Sequence, residues 1–157
     1  MPNRARTLEI MNCYTIAVNE KSVGLLESLF SEDVVCSKQD QVGVSIGTNA
    51  ITKRLKKIWD EYQDREAKFT AVCGLIDIAD KYAFPCVALL ENDKPFSVIV
   101  CEAEKDKQAH LHTELTDMAL VSSVRLCCSH KNMKYAEEKS CPAGCAHKAA
   151  HVNANLA

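Results

Sequence analysis

His110-Leu111-His112 places two imidazoles at alternate positions of a strand-like segment. Successive side chains of a strand point to opposite faces, so His110 and His112 share one face while Leu111, Thr113 and Leu115 take the other. Two imidazoles on one face can bind a metal or relay a proton near neutral pH. The plainer reading makes His110, His112, Glu114 and Thr116 the polar outer face of a sheet, or a dimer face, because antiparallel sheets commonly leave one face solvated. Glu102, Glu104 and Asp117 join such chemistry only if a bulge turns them inward.

A second group lies near the C-terminal end. Cys141 and Cys145 are four residues apart, as are His147 and His151. On a helix each pair would share a face, which suits Zn or Cu. Pro142 and Gly144 weaken any helix there, so residues 127–157 read first as a flexible tail with exposed thiols, and as a metal or redox handle only in the alternative. The nine cysteines are odd in number. No apolar leader precedes them, which argues against a disulfide framework. Cys13, Cys36, Cys73, Cys86 and Cys101 sit in apolar segments and read as small buried hydrophobes.

Several functions lack their residues. There is no glycine-rich phosphate loop and no serine elbow. A net charge of −2 and 6% aromatics give no basic, stacking surface, so no nucleic-acid partner is expected. No apolar run is long enough to span a bilayer, and no membrane partner is expected. No motif calls for a cofactor. Residues 1–6 are polar and carry two arginines with no apolar stretch behind them, which predicts a cytoplasmic protein, or an organellar one that has lost a transit peptide. At 157 residues the chain is long enough for one domain with a real core.

The elements that must hold these residues follow from periodicity. Leu8, Met11, Thr15 and Val18 stripe a first helix over 7–19. Ser22 caps a second, which carries Leu25, Leu26, Leu29 and Phe30 and closes in Ser31-Glu32-Asp33. Val34 to Cys36 suits a short strand. Gly43 and Gly47 bracket a loop, and Thr48 is placed to cap a third helix over 48–62, striped by Ile51, Leu55, Ile58, Trp59 and Tyr62. Strands follow over 69–79, 82–91 and 95–103, with turns at Asp80-Lys81 and Asn92-Asp93. Pro85 marks an edge or a bulge. Residues 109–126 read as one long, bent last strand. Helices followed by antiparallel strands predict an α+β layered domain.

Phe30-Ser31-Glu32-Asp33, a short strand, a loop and then Gly47-Thr48-Asn49-Ala50-Ile51 resemble the pattern of the nuclear transport factor 2-like superfamily, which includes SnoaL-like polyketide cyclases and ketosteroid isomerases. The resemblance covers residues 7–126. It implies three N-terminal helices packed on a curved antiparallel sheet, forming a cone with an internal pocket, and a homodimer through the sheet. It is nearly silent about activity, because one fold hosts many chemistries.

The ketosteroid isomerase site, an Asp base with an oxyanion hole of Tyr and protonated Asp, is matched only in part. Tyr14 takes the place of the tyrosine. Lys38 stands where the base would be, and Asp40 lies two residues further on. Apolar Ile99 or Val100 replaces the buried acid, so steroid isomerisation is not expected. Tyr14 also has the plain reading of a core tyrosine, and Lys38 and Asp40 that of solvated loop residues. The resemblance implies a pocket for a small apolar or carbonyl-bearing molecule that the protein isomerises, cyclises or dehydrates. Tyr14 would bond the ligand, Asp40 or His112 would be the base, and Trp59, Tyr62, His110 and Cys101 would line the walls. The alternative is a non-catalytic dimerisation or partner-binding domain.

Overall fold

The computed structural model describes residues 3–78, 82–122 and 124–126. The turn at Asp80-Lys81 and the tail over 127–157, with Cys141, Cys145, His147 and His151, lie outside the described residues.

Helix α1 spans Arg4–Glu20. It starts three residues before the predicted boundary because the Asn3 side chain accepts the Arg6 N–H as an N-cap. Lys21 ends it in the left-handed conformation, φ 56°. Helix α2, Val23–Ser28, is capped by Ser22 as expected but stops short of residues 31–33. Strand pairing wins there: β1 runs Phe30–Lys38, Phe30 pairs with Ala109, and the Ala109 N–H donates to Leu29 O at 2.9 Å.

The bracketed loop contains a short strand, β2 (Val44–Ile46), folded back antiparallel on β1. Gly43 and Gly47, on either side of β2, have φ of 89° and 100°, which explains glycine at both positions. Helix α3 is Asn49–Gln63 and buries Ile51, Thr52, Leu55, Ile58 and Trp59. Thr48 precedes it without the predicted side-chain cap bond.

Strands β3 (Phe69–Ile78), β4 (Tyr82–Glu91) and β5 (Lys94–Glu102) form antiparallel neighbours. Asn92 and Asp93 both have positive φ, 48° and 68°, as a tight hairpin requires. Pro85 pairs with Leu75 of β3, while the ladder to β5 begins only at Val87, so the proline sits where β4 is locally an edge. The predicted long last strand is three elements instead: β6 (Ala109–Leu115), α4 (Met118–Ser122) and β7 (Arg125–Leu126). Gln39 Oε1 accepts the Thr116 and Asp117 N–H groups and ends the strand, and Asp117 Oδ1 accepts the Ala119 N–H to start the helix.

The sheet order is β2-β1-β6-β5-β4-β3-β7. It is curved and unclosed, and antiparallel except for β1 beside β6, which run parallel. One face, with Val87, Leu89, Ile99 and Cys101, packs on α1, α2 and α3. The other, with Ala88, Leu90 and Val98, forms a second core with Val121, Val124 and Leu126. This alternation explains why β4 reads as almost wholly apolar: both of its faces are covered. The domain is thus α+β, with the three N-terminal helices over one face of a curved sheet. No helix among the described residues is long and apolar enough to cross a membrane.

Candidate functional site

A cleft of about 300 Å³ opens between the N-terminal half of α3, the end of β1 and the β2 hairpin. Its floor is Leu89, Ile99, His112 and Glu114 of the central strands, and Tyr14 reaches in from α1. Register explains the floor. His112 pairs with Cys36 of β1 on one side and Cys101 of β5 on the other, and Glu114 pairs with Ile99. The two-residue period then turns His112 and Glu114 toward the helices together.

His112 and Glu114 are therefore not on a solvated outer face. His112 is 6% exposed and Glu114 3%. Each has a partner, as buried polar groups require. Tyr14 Oη lies 2.9 Å from His112 Nε2. Phe30 packs edge-on against both rings, with centroids 5.9 Å from Tyr14 and 5.7 Å from His112. Burial pushes the His112 pKa down to about 4, against the opposing pull of Glu114. Burial, with Cys101 and Glu114 adding to it, raises that of Tyr14 well above the usual phenol range. At neutral pH the pair is consequently an uncharged imidazole and an uncharged phenol sharing one hydrogen bond.

Glu114 anchors a second group. Arg54 donates from Nε to Oε1 at 3.3 Å and from Nη2 to Oε2 at 3.1 Å, and Ser97 Oγ donates to Oε2 at 2.8 Å. This is a forked guanidinium–carboxylate pair, which holds both side chains in one plane. Arg54 follows Ile51 by three residues, so it rides at the border of the buried stripe of α3 with its head at the cleft. Sequence reasoning missed this trio. The usable signal was Glu114 two residues after His112, on the face opposite Leu111, Thr113 and Leu115.

The other expected residues fall elsewhere. Asp40 is exposed in the turn after β1, paired with Lys38 Nζ at 3.7 Å, and only Lys38 of the two lines the cleft. Trp59 is buried one turn beyond the cleft in the α3 core. Tyr62 lies further along, donating to Glu91 Oε1 at 2.7 Å and packing on Phe69. Cys101 is buried across from His112, where burial raises its thiol pKa, and does not line the cleft. His110 is half-buried and faces a separate hollow beside Asp33 and Glu104. Glu104 bonds Lys107, Asp117 starts α4, and neither they nor Glu102 line the cleft. Among the described residues no three His, Cys, Asp or Glu side chains come close enough to hold a metal ion.

No family model matches the chain, and no curated protein matches it. Solved structures do. A SnoaL-like protein of unknown function from Burkholderia thailandensis aligns with a TM-score of 0.52 at 9% identity, over 71% of this chain and 95% of that one. A candidate ketosteroid isomerase from Kribbella flavida also scores 0.52, at 15% identity, over 74% and 82%. The fold is the one that these SnoaL-like and ketosteroid-isomerase-like structures have. A candidate polyketide cyclase from Sinorhizobium meliloti scores 0.50 at 15% identity, over 71% and 98%. At these identities the SnoaL-like likeness concerns the fold, and activity must be argued from the cleft itself.

Proposed function

We propose that the cleft binds a small carbonyl-bearing molecule, with Tyr14 as the donor to the carbonyl oxygen. The observation that carries this is the buried Tyr14–His112 pair at the cleft floor. This reading takes the tautomer with the proton on Nε2, which donates to Tyr14 Oη and leaves the phenol proton for the ligand. A donor held in a dry, fixed position is worth most where charge develops on oxygen, as in an enol or enolate. Isomerisation, cyclisation and dehydration all run through such species. His112, with a pKa near 4, is a weak base at neutral pH, so its role here is to hold Tyr14. Glu114 replaces Asp40 as the carboxylate at the cleft.

Calorimetric titration with propiophenone and with propylbenzene, which has no acceptor oxygen, tests the reading. The ketone should bind about tenfold more tightly, the worth of one good hydrogen bond, and Tyr14→Phe should erase the difference. Equal affinities, or no binding by either, would overturn it.

One observation favours a second, non-catalytic reading. Strand β2 ends the sheet, and Val44 and Ile46 are exposed on it. An apolar free edge can pair with the same edge of a second copy. In this reading the dimer forms through β2 rather than through the sheet face, part of which, at Ala88, Leu90 and Val98, is covered. Ile46→Lys should abolish any concentration-dependent dimer seen by light scattering; a monomer at all concentrations would end this reading.

A further inference from the structure

We propose that the molecule this cleft takes is an anion: a carbonyl compound that also carries a carboxylate, bound with the carboxylate at the mouth. This rests on the carbonyl reading above and adds the charge of the ligand. Three cations line the cleft, Lys38 on β1 and Arg54 and Lys57 on α3. One carboxylate lines it, that of Glu114, and it is saturated by Arg54 and Ser97. Lys38 has an exposed partner, Asp40, at 3.7 Å, an arrangement that holds weakly in water. Lys57 makes no ion pair among the described residues.

The charges are therefore distributed along the depth of the cleft. Its floor holds the neutral Tyr14–His112 pair, and its balanced side holds Arg54–Glu114. The cations left over are Lys38, held only by exposed Asp40, and Lys57, which has no ion pair among the described residues. Walls of one sign around a low-dielectric cleft attract the opposite charge and orient it on entry. A ligand with a carbonyl at one end and a carboxylate at the other meets the donor on the floor and the ammonium groups at the rim. A neutral ketone meets only the first.

The probes are 4-oxo-4-phenylbutanoate, its methyl ester, and 4-phenylbutanoate, titrated calorimetrically against the intact chain at low and high salt. The oxo acid should bind about tenfold more tightly than its ester, the scale of a charge-assisted hydrogen bond. That advantage should shrink in high salt, because exposed charges are screened. Lys57→Gln and Lys38→Gln should reduce the advantage for the acid and leave the ester unchanged. Both side chains reach solvent, so these variants keep the fold. If ester and oxo acid bind equally and both exceed 4-phenylbutanoate, the anion inference fails and the carbonyl reading stands; if all three bind equally, both fail. If 4-phenylbutanoate binds as well as the oxo acid, and both exceed the ester, the charge is right and the carbonyl reading fails, which overturns the combined proposal. Absence of binding by all three overturns both.

Discussion

Tyr14 and His112 meet through a 2.9 Å hydrogen bond although 98 residues separate them in the chain. Helix α1 and strand β6 are thereby joined by two polar groups inside the core. Tyr14→Phe removes the phenol and leaves His112 Nε2 buried without its partner. An orphaned buried group costs about 1–3 kcal/mol. Urea unfolding should show a loss in that range with an unchanged m-value. No loss would mean that water replaces the phenol at no cost.

The pH dependence of stability has a definite sign. His112 titrates at about 4 in the folded chain against 6.5 for the free side chain. As pH falls through 6.5 the unfolded chain takes up this proton and the folded chain does not. The stabilisation is thus complete above pH 6.5 and is lost progressively down to pH 4, by roughly 3 kcal/mol in all. His112→Gln should flatten that window relative to wild type. Parallel curves for the two proteins would show that His112 titrates normally.

Arg54 and Glu114 should behave as one unit. Arg54→Met leaves a buried carboxylate with Ser97 alone. Breaking a buried pair costs about 3–5 kcal/mol, and the low end is expected because the Arg54 side chain is 33% exposed. Adding Glu114→Gln should recover part of that loss, giving a double variant at least about 1 kcal/mol better than the sum of the singles. Strict additivity would separate the two residues.

Trp59 reports on the α3 core. It is 8% exposed and its Nε1 has no hydrogen-bond partner among the described residues. Native emission should be blue-shifted and poorly quenched by iodide. Trp59→Ala should cost about 3–5 kcal/mol. Trp59→Phe should cost clearly less, since it also removes an unpaired buried N–H. Red, freely quenched emission would place α3 against solvent.

The sequence disclosed most of this fold and part of the site. Long amphipathic stretches such as α3, and β4 with apolar residues on both faces, carry their own signal. The short elements do not: β2 has three residues, and α4 has five inside what reads as a strand. Their ends are decided by distant partners, as when Gln39 takes the N–H groups that β6 would otherwise have used. Tyr14 and His112 could each be singled out by type, but the two-residue period gives only a shared face and not which face is buried. That depends on β1 joining β6 in parallel, a pairing between segments about 75 residues apart that no local pattern records. Trp59 and Tyr62 share the stripe of Ile51 and Leu55, and nothing in a stripe tells which of its turns meets a cleft.

Donation from Tyr14 to a ligand carbonyl in the cleft is what the proposed function stands on. The most direct measurement is the isotope-edited infrared difference spectrum of propiophenone labelled with ¹³C at the carbonyl, bound to wild type and to Tyr14→Phe. A hydrogen bond from the phenol should lower the carbonyl stretching frequency of bound ketone below its value in an apolar solvent. The shift should vanish in the variant while the ketone remains bound. A bound carbonyl at its apolar-solvent frequency, or an equal shift in both proteins, would contradict the assignment of Tyr14.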